Sequence, residues 1–293
     1  MLLDVVLPYY GVVDLMKQAV RCVLSQEYQH WRLLVVDDGF PGPEPARWFG
    51  GIDDPRVHYQ RNTTNLGANA NYRKCLTLVE APVVVVFGAD DLMLPNFLEI
   101  VVESFTSYPQ SSVVQVGVQV VDDRNRVVRP LGDRVKAFYA PTVAERTLLS
   151  GEALAVSLLR GNWTYFPSLA WKTKTITGIG FREGLNVTQD LALLLDTVRS
   201  GGSMVVDPTP AFLYRRHPAS DSSVKALDGR RFEEERELFR VEAEKFAALG
   251  WTRATRAARL HLTSRLNALS LLPAAIRSGS MAALPKLGKH ILR

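Results

Sequence analysis

Cysteine is nearly absent from the sequence: Cys22 and Cys75 are the only two in 293 residues. That excludes a disulfide scaffold and a thiolate metal centre, and both are read as reduced thiols of a cytoplasmic protein. Long apolar runs are missing too. None exceeds five residues, as in VVVVF at 83–87, whereas a membrane-spanning helix needs ~20. The opening MLLDVVLP places Asp4 where an export signal requires an unbroken apolar stretch, so a cytoplasmic location is expected. Acidic residues are lacking at the C-terminal end. Beyond Gly250 there are none, while Arg253, Arg256, Arg259, Arg265, Arg277, Lys286, Lys289 and Arg293 supply eight of the 35 basic residues. Without them the chain would hold 27 basic against 30 acidic residues, so the net charge of +5 belongs to the tail.

Such a tail seeks a polyanion, either anionic lipid or nucleic acid. Its one aromatic, Trp251, offers no stacking platform for bases. Arg253, Arg256 and Arg259 interleave with Ala254, Ala257, Ala258, Leu260 and Leu262, a weakly amphipathic pattern that suits a membrane surface better. No nucleic-acid partner is expected, and peripheral membrane contact through 250–293 is. The plainer alternative is a basic helix packed on the rest of the chain.

With 47% hydrophobic and 22% charged residues, the composition is that of an ordinary globular protein. Apolar runs at 2–7, 33–36, 57–60 and 83–87 alternate with helical spacing over 14–25, 68–79 and 95–107. Strands buried on both faces read as continuous β-branched runs, and their alternation with helices predicts an α/β fold with a mostly parallel sheet. A strand is predicted over 113–121, a charge-mixed loop over 122–136, helices over 151–160 and 190–200 with Thr188 as N-cap, and two short strands at 204–206 and 211–215. The Ser-, Asp- and Gly-rich 218–229 reads as a mobile loop, and the chain from Phe232 onward as helical.

In open α/β sheets ligands bind beyond the C-terminal strand ends. Two strong apolar runs each lead there to paired carboxylates, Asp37-Asp38 before Gly39 and Asp90-Asp91 after Gly88-Ala89. Hard divalent cations take such oxygen ligands together with substrate phosphates; turn chemistry is the bland reading of each pair taken alone. Along Tyr214-Arg215-Arg216-His217, strand alternation places Arg215 and His217 on one face, suited to a diphosphate or a metal, or merely to a solvated strand end. Asp190 follows Gln189 at a helix start, where a carboxylate often serves only the helix dipole.

VVLPYY, AVRCVLSQEYQHWRLLVVDDG, NLGANANYRKCL, VVVVFGADDLMLPNFLE, GIGFREGLNVTQDLALLLDTVRSGG and YRRHPASDSS occur in the order and approximate spacing of family 2 glycosyltransferases, and residues 2–223 resemble that family. The resemblance implies a GT-A type fold, a mostly parallel sheet flanked by helices, here with a helical C-terminal tail. It implies a catalytic domain over 1–230, with a nucleotide-sugar half to about 110 and an acceptor-side half beyond it, followed by a helical basic region over 231–293. It implies transfer of a sugar, with inversion, from a nucleotide diphosphate sugar to an acceptor hydroxyl, with Mn²⁺ or Mg²⁺. A UDP-sugar is the favoured donor, GDP and dTDP being alternatives, and the acceptor is a glycan or lipid-linked molecule.

Matched residue by residue, Pro8, Tyr10, Asp38, Asn65, Gly67, Asp90 and Arg215 would bind the nucleotide sugar. Asp90, Asp91 and His217 would hold the metal, and Asp190 would be the catalytic base. The chain departs from the family where Gly88 replaces the first carboxylate of Asp-x-Asp-Asp, where Gln189 replaces the Glu before the base, and where Gly-Phe-Arg-Glu replaces Gly-Phe-Asp-Glu at 180–183. These departures keep a second reading open, a non-catalytic nucleotide-sugar or membrane-binding module on the same fold. A sugar-phosphate nucleotidyltransferase is disfavoured, because PYYG follows the first apolar run where a Gly-rich, Arg-containing phosphate loop would be expected.

Overall fold

Four segments, Leu3–Tyr9 (β1), Trp31–Asp37 (β2), Val57–Arg61 (β3) and Val83–Val86 (β4), pair in parallel in the order β3-β2-β1-β4. This computed structural model describes residues 1–216, 230–277 and 283–292. His217 and the expected mobile loop at 218–229 lie outside the described residues. Leu92–Met93 (β5), Val113–Val121 (β6), Thr147–Ser150 (β7), Leu169–Lys172 (β8) and Ser203–Arg215 (β9) complete a nine-stranded mixed sheet. β8 runs antiparallel between β4 and β6, β9 lies parallel to β6, and β5 and β7 run antiparallel to β9. Six of the nine strands therefore share one direction, as the alternating pattern predicts.

Period-two alternation sends successive residues of β1 to opposite faces. Val5 and Leu7 join Val35 and Val85 under two helices, Val13–Leu24 (α1) and, after the short Glu44–Phe49 (α2) and Ala68–Thr77 (α3), Phe97–Ser107 (α4). Val6, Val36, Val84 and Val86 face the other way. There they meet Cys75 and Leu76 of α3. They also meet residues from the helix Gly151–Gly161 (α6), which follows Leu131–Tyr139 (α5), and from Gln189–Arg199 (α8), which follows Thr173–Ile179 (α7). The stretch Leu191 to Leu195 is buried throughout, so α8 is a core element, with Gln189 and Asp190 in its first turn half-buried.

Chain beyond 230 forms Arg230–Ala248 (α9), Thr252–Leu260 (α10), Leu262–Arg277 (α11) and Ala283–Leu292 (α12). Leu238, Phe239, Ala243 and Phe246 of α9 and Ala254 and Ala258 of α10 share the core of the second sheet face. Glu152 of α6 accepts the backbone N–H groups of Arg253 and Ala254 at 2.7 and 3.1 Å and so caps α10. The start of the basic region is thus packed on the α/β body.

Two local expectations differ from the structure. The two short strands near 204–206 and 211–215 are one continuous β9, because the interruption at Pro208 and Pro210 is absorbed as register shifts against β6 around Gly117. The loop expected over 122–136 contains the start of α5, whose apolar residues carry helical spacing without facing the core.

Candidate active site

Asp38 ends up beyond the C-terminal end of β2, its side chain buried and engaged by protein donors. It accepts the backbone N–H of Leu66 at 2.8 Å and of Gly67 at 2.9 Å, and the Asn62 amide at 2.8 Å. Asn62 donates also to Asn71 Oδ1, and accepts from Lys74 Nζ at 2.6 Å. The carboxylate thereby shapes the NLG turn. Asn65 adds its Oδ1 to the Gly67 N–H at 3.0 Å. Gly39, at φ +74°, allows the DDG turn to lie against this segment, since a Cβ there would stand 3.1 Å from Asn65 N. Asp37, the other member of the pair, accepts from Phe40 N at 2.7 Å and from the Tyr59 hydroxyl. Pro8 is half-buried near the end of β1, and Tyr10 beyond it is 59% exposed. Tyr9 between them is buried and donates to Gly11 O at 2.9 Å, fixing the turn that presents Tyr10.

Asp90 and Asp91 follow β4. A Cβ added to Gly88 would lie 2.5 Å from Asp91 Oδ2 and 3.2 Å from Asp90 Oδ1, so both carboxylates turn toward the same bare α-carbon. The absent first carboxylate of the family motif corresponds to space that these two oxygens fill. Burial raises the pKa of Asp91 well above the usual carboxylate range, and the charge of Asp90 adds to the rise. Two crowded acid groups in this state suit a hard divalent cation, and the oxygen donor set fits Mg²⁺ or Mn²⁺. No third His, Cys, Asp or Glu completes a metal-binding group among the described residues.

Arg215 is buried beneath this pair. Its backbone N–H donates to Asp91 Oδ1 at 2.8 Å and its Nε to the Asp90 carbonyl at 2.7 Å. Its remaining nitrogens reach Asn125 Oδ1 at 2.6 Å and Gln18 Oε1 at 3.2 Å. The guanidinium is occupied in bracing the carboxylate turn against α1 and the 122–125 turn. Arg216 pairs with Asp133 at 2.7 Å beneath the ring of Tyr214.

Asp190 sits in the first turn of α8, half-buried, and accepts its neighbour's N–H, Leu191 N, at 2.8 Å. Desolvation raises its pKa above the usual carboxylate value, opposed by the positive charges of Lys136 and Arg231. Lys136 is in turn pushed down to about 8 by burial, with Asp190 opposing that shift. Its ammonium donates to Thr164 O at 2.8 Å and lies 4.4 Å from the Tyr165 ring centroid, while Tyr165 donates to Asp133 Oδ1 at 2.9 Å. Tyr165 and Tyr214 rings stand 4.9 Å apart, and both acids, Asp90 and Asp91, act electrostatically on Tyr214. A continuous set of aromatic and charged groups therefore links Asp90-Asp91 to Asp190.

Two supports of Asp190 come from distant chain. Asn69 on α3 donates to Gln189 Oε1 at 2.7 Å and to Leu185 O at 2.8 Å. Glu234 on α9 accepts the N–H groups of Asn186, Val187 and Thr188 at 2.7 to 3.1 Å and the Thr188 hydroxyl at 2.9 Å. Thr188 is the N-cap position, as its place in the sequence suggests, but its own side chain caps nothing. The sequence reading missed Lys136, Asp133, Tyr165, Asn69 and Glu234. Lys136 and Asp133 fall in a charge-mixed stretch, Glu234 in an acidic run, and Tyr165 beside Trp163 and Phe166 in a stretch rich in aromatics, so none carried a distinguishing signal.

Comparison with known proteins places this chain in a family. Residues 4–162 match the model described as Glycosyl transferase family 2. WcaA of Escherichia coli (strain K12), described as a candidate colanic acid biosynthesis glycosyl transferase, is 28% identical over 100 residues, 34% of this chain and 36% of its own. EpsE of Bacillus subtilis (strain 168), described as a candidate glycosyltransferase, is 25% identical over 122 residues, 41% of this chain and 44% of its own. These matches span well under half of each relative's length. The fold matches that of S. aureus TarS 1–349 in complex with UDP-GlcNAc, with a TM-score of 0.72 at 14% identity over 99% of this chain and 80% of that one. The same protein in complex with UDP gives a TM-score of 0.61 at 13% identity.

Proposed function

The chain belongs to glycosyl transferase family 2, and we propose that it moves a sugar from a nucleotide diphosphate sugar to an acceptor hydroxyl with inversion at the anomeric carbon. The observation that carries this reading is the union of two half-sites. Asp38 holds the NLG turn, and Asn69, just beyond that turn, is bonded to Gln189 beside Asp190. Pro8, Tyr10, Asn65 and Gly67 would line the nucleotide. Asp190 would accept the acceptor's proton as its oxygen attacks, and a carboxylate of raised pKa is the stronger base for that task. No covalent intermediate on the protein is required for inversion. Asp90 and Asp91 would hold Mg²⁺ or Mn²⁺, which when bound offsets the charge developing on the departing diphosphate. Arg215 would fix the carboxylate turn from below, and His217, which the family resemblance assigns to the metal, lies outside the described residues.

A UDP-sugar is the favoured donor, since the similar TarS structures hold UDP-GlcNAc and UDP. The relation to WcaA supports an acceptor of the cell-envelope glycan type, which we take to be lipid-linked. No helix among the described residues is long and apolar enough to cross a membrane. Contact with a cytoplasmic membrane face would be peripheral, through 250–293, where Arg256, Arg259 and Leu260 are exposed.

A panel of UDP-, GDP-, dTDP- and CDP-sugars with and without Mn²⁺ tests the proposal. A donor that binds only the folded state at a hundred times its Kd stabilises by ~2.7 kcal/mol, and one nucleotide class should do so with a metal-dependent increment. No stabilisation by any of them would remove the nucleotide-sugar reading. Binding without release of the nucleoside diphosphate in the presence of glycan acceptors would favour the non-catalytic module.

A further inference from the structure

The helix Leu131–Tyr139 is inside out. Its polar residues Asp133 and Lys136 face the protein, where Asp133 is 6% exposed and bonded to Tyr165 and Arg216. Its apolar residues Leu131, Val135 and Phe138 recur at i, i+4 and i+7 and are 68, 38 and 80% exposed. Val127, one turn earlier in spacing, is exposed as well. Leaving such side chains in water forgoes the stabilisation that burying them would bring, and a clustered apolar face of this kind marks a contact surface.

Its surroundings are basic. Arg124, Arg129 and Arg134 are exposed beside the stripe, Arg126 is paired with Asp122 at 2.7 Å, and Asp123 is the exposed acid nearby. A second helix also carries exposed apolar residues. Leu262, Leu266, Leu269 and Ile276 on the helix Leu262–Arg277 are exposed at i, i+4, i+7 and i+14. Each helix bonds to chain near the helix Gly151–Gly161: Thr263 donates to Arg160 O in its last turn at 2.6 Å, and Lys136 to Thr164 O just beyond its end at 2.8 Å. Apolar stripes flanked by arginine, lying on the surface and too short to span, are the pattern of interfacial helices.

We propose that Leu131, Val135 and Phe138 seat this helix in the headgroup region of an anionic bilayer. This rests on the glycosyltransferase reading above and assigns its membrane contact to a second element besides the basic tail. The arrangement has a direct consequence for the site, because the same nine-residue helix carries Lys136 toward Asp190. Membrane contact on one face would steady the electrostatic partner of the base on the other, and bring an acceptor held in the bilayer to the protein surface nearest Asp190.

The test is co-sedimentation of the full chain with phosphatidylcholine vesicles, with and without phosphatidylglycerol, comparing the parent with Leu131→Glu/Phe138→Glu and with Leu266→Glu/Ile276→Glu. All four positions are exposed, so both variants should keep the fold; if the first does not, Phe138→Gln alone replaces it. The parent should bind vesicles containing phosphatidylglycerol, and the helix variant should bind them about ten-fold less tightly or worse, with nucleotide-sugar binding unchanged. Equal binding by parent and helix variant, or loss confined to the tail variant, would overturn the proposal. So would a parent that ignores vesicles and runs as a dimer that Leu131→Glu/Phe138→Glu dissociates, which would assign the face to a second copy. Failure of the enzyme reading looks different: no nucleotide sugar would bind the parent, whatever its behaviour on vesicles.

Discussion

The side-chain amide of Asn69 donates to Gln189 Oε1 across 2.7 Å, joining the helix behind the NLG turn to the helix that begins beside Asp190. The family residue at 189 is Glu, but what this bond requires is an acceptor oxygen, which an amide supplies as well as a carboxylate. Gln189→Glu should therefore keep stability close to that of the parent, whereas Gln189→Ala should cost ~1 kcal/mol or more by stranding the Asn69 donor. Chemical denaturation of the two variants measures the difference. Equal loss in both would mean that the bond contributes nothing and that position 189 acts through something other than Asn69.

The base should have a pH signature that Lys136 controls. Burial raises the pKa of Asp190 and Lys136 opposes that rise, while burial pushes Lys136 itself down to about 8. Activity needs ionised Asp190, so kcat/KM should climb as pH rises through that raised pKa. Lys136→Met removes the opposing positive charge, raises the pKa of Asp190 further and moves the climb to higher pH. An unmoved or acid-shifted limb in the variant would dissociate Lys136 from the base.

Glu234 should act on the site without touching substrate. It accepts three backbone N–H groups and one hydroxyl at the entrance to α8, so Glu234→Ala leaves several donors unsatisfied. A loss of ~1–3 kcal/mol in unfolding free energy is expected. Turnover should fall and donor affinity should stay within a few fold, because the helix end carrying Asp190 loosens while the Asp38 turn does not. A variant with parent-like stability and turnover would show that the cap is dispensable.

The metal pair makes a separate prediction. Asp91→Asn keeps the acceptor for Arg215 N but removes one of the two carboxylates that converge on Gly88. Nucleotide affinity measured by calorimetry should gain from Mn²⁺ in the parent and not in the variant. The same metal-dependent gain in both would take Asp91 out of the metal site.

Much of this arrangement was legible in the chain, and for identifiable reasons. The parallel core was readable because strands buried on both faces become unbroken valine runs, as at 83–86, and the pairs Asp37-Asp38 and Asp90-Asp91 were readable because they lie just beyond such runs. Asp190 was singled out by the match to the family, since its place at a helix start alone suggests only dipole compensation. What stayed hidden depends on contacts far apart in sequence. Glu234 meets Thr188 across 46 residues, and Asn69 meets Gln189 across 120; neither local pattern differs from a solvated polar residue. The helix Leu131–Tyr139 was read as part of a loop because its outward apolar face and inward charges invert the usual rule. The tail was read as a weakly amphipathic basic segment, with a helix packed on the rest of the chain as the plainer alternative; at its start Ala254 and Ala258 are buried in the core.

The central claim, that Asp190 is the general base of a sugar transfer, is tested most directly by Asp190→Asn. Turnover and donor affinity are to be measured on the same preparation once the donor is known from the nucleotide panel. The amide preserves size but cannot take the proton, so turnover should fall ~100-fold or more with donor affinity within a few fold. The stability sign provides an internal control. Asp190 has its folded pKa raised above its unfolded value, so its contribution is fully present below the unfolded value and is lost as pH rises through the folded one. The variant should accordingly be no less stable than the parent at neutral pH. Turnover near that of the parent, in a folded variant that still binds donor, would contradict the account and place the base elsewhere.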